Sequence, residues 1–143
     1  MLNKIYLLLC ILVLSGCVPI PNRTQVIPKI SGIITKNNIP MKSVKVVIYR
    51  NKYDKENGKA KIIIETDDRG EFRFQGDKDT HLFMMIGDPI TTWSMDLVHN
   101  GTFYLGWKEF GIGYAEAFLN LSCELTYKTP ENNIKQGICQ IDR

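Results

Sequence analysis

The runs of Val, Ile, Tyr and Phe in this sequence are short, and turn residues interrupt each one before a helical period can develop. Lys29–Thr35 stops at Asn37-Asn38-Ile39-Pro40, Ser43–Arg50 stops at a charged loop containing Asn57-Gly58, and Ala60–Thr66 stops at Asp67-Asp68-Arg69-Gly70. β-Branched and aromatic runs broken at close spacing by turn residues specify an all-β, antiparallel sandwich of about seven or more strands. The strongest local signal is Asn100-Gly101, between Trp93–His99 and Thr102–Trp107. Both central positions of a two-residue hairpin turn need φ > 0, which Asn and Gly adopt at low cost. Period-two alternation assigns faces: Val44, Val46 and Ile48 oppose Lys45, Val47 and Tyr49, and Phe72 and Phe74 oppose Glu71 and Arg73. His81–Gly87 is a nearly continuous apolar run and reads as a central strand, with Tyr114–Tyr127 as a last long strand. Ala115–Leu121 is the only, weak, helical candidate.

The N-terminus follows a different pattern. Lys4 precedes an unbroken apolar run from Ile5 to Leu14. Spanning a bilayer takes about 20 apolar residues, so this run suits a secretory signal instead. At its end, Leu14-Ser15-Gly16-Cys17 resembles the lipobox of bacterial lipoproteins. The resemblance implies that a signal peptide, residues 1–16, is removed and that the Cys17 thiol carries lipid, attaching the chain to a membrane. Val18 rather than Asp follows the cysteine. By resemblance to the sorting rule of enteric bacteria, this implies anchoring in the cell envelope, at the periplasmic face of the outer membrane if the source is Gram-negative. Pro19, Pro21 and Pro28 stand among polar residues, so residues 17–28 read as a lipidated, extended tether.

Removing residues 1–16 from 143 leaves 127, enough for one domain with its own core, residues 29–143. The net charge of +3 becomes +2 once Lys4 is lost, too even a balance to argue for nucleic acid. Of four cysteines, Cys10 leaves with the signal and Cys17 carries lipid, so Cys123 and Cys139 remain. In an oxidising compartment that pair is expected as a disulfide. It would tie the polar tail around Thr129-Pro130-Glu131 to the preceding strand.

Ile30-Ser31-Gly32-Ile33-Ile34, then Ile39-Pro40 leading into Val44-Lys45-Val46, then Thr66-Asp67-Asp68-Arg69-Gly70-Glu71-Phe72-Arg73-Phe74 complete a longer pattern. It resembles carboxypeptidase-regulatory-like domains, which are transthyretin-like β-sandwiches marked by T-D-x-x-G-x-F-x-F. The resemblance covers residues 29–87 and implies a structural or binding module without an active site. Residues 88–143 go beyond it, as an extension carrying the hairpin and the disulfide.

An enzyme needs converging groups. Neither His81 nor His99 has a neighbour at metal-ligand spacing. Ser94 and Asp96 fall on one strand face and His99 on the other, and no nucleophile elbow or Gly-rich phosphate loop is present. Asp67, Asp68, Asp77 and Asp79 lack the spacing of a calcium loop. No catalytic residue, metal or cofactor is therefore expected.

Two surface features remain. Lys42, Lys45, Arg50, Lys52, Lys55, Lys59 and Lys61 gather around one strand pair and its loop. They form either a basic patch for anionic headgroups or an acidic partner, or edge lysines that discourage strand pairing. Trp93, Phe103, Tyr104, Trp107, Phe110 and Tyr114 crowd the C-terminal half, where a two-layer sandwich uses aromatics as core. An exposed Trp93 or Trp107 would anchor a partner protein or a glycan. The candidate interaction surface is accordingly Trp93, Trp107, Lys45, Arg50 and Lys52. The expected function is a non-catalytic cell-envelope lipoprotein, held to the membrane through Cys17 and acting as a binding or structural module for another envelope protein. The alternative is an immunity or secretion-system accessory lipoprotein that captures a periplasmic partner; an enzyme acting on glycan or peptide ranks below both.

Overall fold

A computed structural model of the chain describes residues 22–81, 89–126 and 137–142. Cys17 and the expected signal peptide lie outside these residues, as does the expected central strand His81–Gly87 apart from its first residue. The described residues form β1 (Asn22–Ile27), β2 (Lys29–Lys36), β3 (Ile39–Pro40), β4 (Lys45–Tyr49), a short helix α1 (Lys52–Glu56), β5 (Ile62–Glu65), β6 (Glu71–Phe74), β7 (Asp77–His81), β8 (Ile90–His99), β9 (Thr102–Ile112), β10 (Phe118–Glu124) and β11 (Cys139–Ile141). One sheet has the order β11-β10-β2-β3, with β6 also paired to β2; a second has the order β5-β4-β8-β9; β1 and β7 form a separate ribbon.

Alternation sets what each sheet buries. Ile30, Ile34, Phe72, Phe74, Leu119, Leu121 and Cys123 of the first sheet meet Val46, Ile48, Trp93, Met95, Leu97 and Trp107 of the second, with Val44 just before β4, in one buried cluster. Each large apolar side chain removed from water contributes about 1.5–3 kcal/mol, so this interlayer core is what holds the sandwich closed. The all-β sandwich is as the turn-punctuated pattern requires. One pairing departs from antiparallel: β10 runs parallel to β2, with Leu119 opposite Ile30 and Leu121 opposite Gly32.

Turn chemistry matches the local signals. Asn100 and Gly101 have φ of 49° and 75°, joining β8 and β9 in a two-residue hairpin. Gly70 has φ 71°, and the Asp67 carboxylate accepts the amides of Arg69 and Glu71, both at 2.9 Å. Phe72 and Phe74 are buried, Glu71 is half-buried and Arg73 is exposed.

Three expectations need correction. The charged loop after Arg50 contains α1, because the Asn51 side chain accepts the Asp54 amide at 2.8 Å and caps a single helical turn. The helical candidate Ala115–Leu121 instead enters β10, where Leu119, Leu121 and Cys123 alternate inward. The stretch read as free tether is extended, but Asn22–Ile27 pairs with β7 and Ile27 is fully buried; the prolines around it limit hydrogen bonding only at their own positions. Residues beyond 88 supply β8 and β9, half of the second sheet, and β10 of the first.

Candidate functional site

The strand directions bring the start of β2, the start of β10, the end of β4, the start of β8, the end of β9 and the ribbon strand β1 to one end of the sandwich. A cleft of about 290 Å³ opens there between the sheets, lined in part by Pro28, Thr91, Trp107, Glu109, Tyr114 and Leu119. Glu109 lies opposite Trp93 in the β8–β9 register and so turns inward. Its Oε2 accepts the Trp107 Nε1–H at 3.3 Å. Gly113, with φ 120°, swings the chain out of β9; its amide donates to the Pro89 carbonyl at 2.7 Å, and its carbonyl accepts the Thr91 hydroxyl at 2.5 Å. Glu116 also lines the cleft but is exposed at its rim, while Glu109 is tied to the indole N–H. Among the described residues no three His, Cys, Asp or Glu side chains are grouped so as to hold a metal ion.

The outer surface of the same end is apolar. Ile90 and Ile112 are cross-strand partners, and Phe110 lies two residues from Ile112 on the same face, opposite Thr92. Ile90, Phe110, Ile112 and Tyr114 are 67%, 76%, 81% and 62% exposed. Phe118, at the start of β10, is exposed as well. Sequence reading assigned Phe110 and Tyr114 to the core and did not single out the other three.

The residues singled out from sequence separate rather than converge. Trp93 and Trp107 are each 2% exposed, so they are core residues whose edges reach the cleft, and neither is a surface anchor. Five cations of the basic patch are neutralised by acids: Lys42 by Asp68, Arg50 by Asp79, Lys52 by Glu56 at 3.5 Å, Lys55 by Asp96 at 2.6 Å and Lys61 by Asp77 at 3.1 Å. The hydrogen bond from Arg50 to Asp79 raises the guanidinium pKa further, and the one from Lys42 to Asp68 does the same for the ammonium. Lys45 is exposed opposite Glu65. The patch is therefore a field of ion pairs, and it does not present an open basic face.

The imagined Ser94–Asp96–His99 set is likewise dispersed. Asp96 is held by Lys55, whose ammonium lies 5.8 Å from the Tyr49 ring centroid. Burial, then the Asp96 charge, pushes the Tyr49 hydroxyl pKa up. His99 Nε2 pairs with Asn100 Nδ2 at 3.1 Å.

At the opposite end Glu124 clamps the β2–β3 turn. It accepts the Thr35 hydroxyl at 2.8 Å, the Asn37 amide at 2.8 Å and the Thr126 hydroxyl at 2.7 Å. Desolvation pushes this carboxyl up, but the hydrogen bonds from Thr126, Thr35, Asn37 and Asn38 together outweigh it and hold the pKa at about 2. Cys123 and Cys139 are directly opposite in the β10–β11 register and form the expected disulfide. Among the described residues no helix is long and apolar enough to cross a membrane.

No curated protein matches the sequence. A sequence family does, over residues 30–128, which run from the first strand of the sandwich through the hairpin to the end of β10. The chain belongs to the family described as Domain of unknown function (DUF6795).

Proposed function

We propose that the protein is a cell-envelope lipoprotein, lipid-attached at Cys17, whose β-sandwich is a non-catalytic binding or structural module for another envelope component. The observation that carries this reading is Leu14-Ser15-Gly16-Cys17 at the end of an apolar run too short to span a bilayer. The Cys123–Cys139 disulfide supports it, since such bonds persist in oxidising compartments outside the cytosol. The match of T-D-x-x-G-x-F-x-F to Thr66–Phe74, with both phenylalanines buried, supports a carboxypeptidase-regulatory-like module. Of the two carboxylates lining the cleft, Glu109 is tied to the Trp107 indole N–H and Glu116 is exposed, an arrangement that favours binding over catalysis.

The decisive experiment is incorporation of labelled palmitate into the wild-type chain and into Cys17→Ala in the native host, followed by affinity purification from solubilised envelopes. Label in the wild type alone, with an envelope protein retained only by that form, is the expected result. Label in neither chain would defeat the reading.

A further inference from the structure

We infer that the end of the sandwich bearing Ile90, Phe110, Ile112 and Tyr114 is a lipid-contacting face, which seats these side chains at the boundary between headgroups and acyl chains. The inference rests on the lipid attachment at Cys17 proposed above and adds an orientation to it.

The position of the chain's start selects this end. Tyr114 lies against Arg23, Thr24 and Gln25 of β1, and Ile90 shares a shallow groove with Thr24 and Val26. The exposed apolar side chains and the first described strand are thus neighbours. Residues 18–21 separate Cys17 from Asn22. At no more than about 3.3–3.6 Å per residue, that linker spans at most roughly 18 Å. Acyl chains on Cys17 therefore bring β1 close to the bilayer, and whatever surrounds β1 comes with it.

The chemistry of the surface suits that location. Binding to a membrane interface strengthens with the apolar area buried in it and with attraction of basic side chains to anionic lipid. Aromatic side chains favour the headgroup level, where an apolar ring and a polar tip can both be satisfied. Phe110, Ile112 and Ile90 form one continuous strip on the outer face of β8 and β9, and Tyr114 continues it past Gly113. Arg23 and Lys108 are exposed beside the strip, where anionic headgroups would meet them; Glu116 is exposed there too. Glu109 turns inward to Trp107, and Asp79, which lines the groove beside Ile90, is paired with Arg50. Exposed apolar residues elsewhere serve as internal controls. Ile39 lies at the far end of β2, which runs about 23 Å from Lys29 to Lys36.

The test uses the full chain, processed and lipidated, reconstituted into vesicles of phosphatidylethanolamine and phosphatidylglycerol. Phe110→Cys, Ile112→Cys and Ile39→Cys each accept a polarity-sensitive fluorophore at an exposed site while Cys123 and Cys139 stay bridged. Mass spectrometry first establishes that acyl chains are present. The expected result is a blue-shifted label at 110 and 112, quenched several-fold more by nitroxide lipid than by aqueous iodide, with the reverse order at 39. Equal iodide access at all three positions in acylated protein would overturn the orientation and leave the attachment standing. Shielding from iodide without quenching by lipid would point to a protein contact and also overturn it. Absence of acyl chains in the mass spectrum would instead remove the attachment on which the inference rests.

Discussion

Gly32 should not tolerate even one added methyl group. It sits in β2 between parallel β10 and antiparallel β6, directly opposite both Leu121 and Phe72. A Cβ built there would lie 2.5 Å from the Leu121 carbonyl oxygen and 2.8 Å from two carbons of the Phe72 ring. Comfortable contacts between such atoms are about 3.5–4.0 Å, so neighbours on two sides must retreat by about 1 Å. The oxygen belongs to strand backbone, and the ring is 3% exposed within a close-packed interior. Overpacking of this kind costs about 1–3 kcal/mol, against about 0.4–1 kcal/mol gained because alanine restricts the unfolded chain. The net expectation for Gly32→Ala is a loss of about 1.3 kcal/mol, or about 5 °C in Tm for a domain of this size. Gly111→Ala is the matched control: a Cβ there meets nothing within 4 Å, and its melting temperature should stay level or rise slightly. Adding Phe72→Leu should recover part of the Gly32→Ala loss, with a coupling of about 1 kcal/mol in a double-mutant cycle. Thermal melts followed by near-UV circular dichroism suffice. If Gly32→Ala melts with Gly111→Ala, the ring does not pack over the glycine and the stated packing is wrong.

Three further outcomes follow from the same geometry. Reducing the Cys123–Cys139 bond, which spans 16 residues, should cost about 3 kcal/mol in the chain-entropy account; urea midpoints that agree with and without reductant would contradict this. The Glu124 carboxyl has a folded pKa of about 2, below its ordinary 4.5, so its contribution is present above about pH 4.5 and is lost as pH falls towards 2. Glu124→Gln should therefore lose stability at neutral pH and show a shallower decline through that window, whereas parallel urea-midpoint curves for the two proteins would rule the clamp out. Lys55→Met leaves the buried Asp96 carboxylate without its ammonium and should destabilise by about 1–3 kcal/mol. Adding Asp96→Asn should restore part of that loss, and strict additivity in denaturant titrations would refute the coupling.

Much of the fold was legible because its signals are local. Asn100-Gly101 specifies its hairpin within two residues, and Thr66–Phe74 carries a turn, its Asp67 acceptor, its Gly70 and its two inward phenylalanines in one stretch. What could not be read depends on distant partners or on elements too short to show a period. The parallel pairing of β2 with β10 joins residues nearly ninety positions apart, Ser31 hydrogen-bonding Asn120, and nothing in either strand announces its orientation. Helix α1 spans five residues, and its only sequence sign is Asn51 placed to cap Asp54. The pairing of β1 was hidden by its flanking prolines, and the neutralisation of the basic patch by the acids that face it across loops, Asp79 and Asp77 from β7 and Asp96 from β8.

Phe110 and Tyr114 read as core because a two-layer sandwich buries most of its aromatics, and a bulge in β9 is what puts Phe110 outside. Near the hairpin Tyr104 lies opposite Leu97 and faces the core, so strict alternation along β9 would send Phe110 and Ile112 inward as well. The register instead steps from Asp96 opposite Leu105 to Met95 opposite Trp107, leaving Gly106 unpaired. That bulge shifts the phase, turns Trp107, Glu109 and Gly111 inward, and exposes Phe110 and Ile112. A glycine inside a strand was the available sign. The bulge is also fastened from outside: Ile138 donates its amide to the Leu105 carbonyl at 2.9 Å, and a Cβ on neighbouring Gly137 would lie 2.3 Å from the Gly106 oxygen. Ile138 adjoins Cys139, so the disulfide holds against β9 the segment that braces its bulge. A bond near the C-terminus thereby helps to decide which face of β9 is core and which is open at the end where the chain comes in from Cys17.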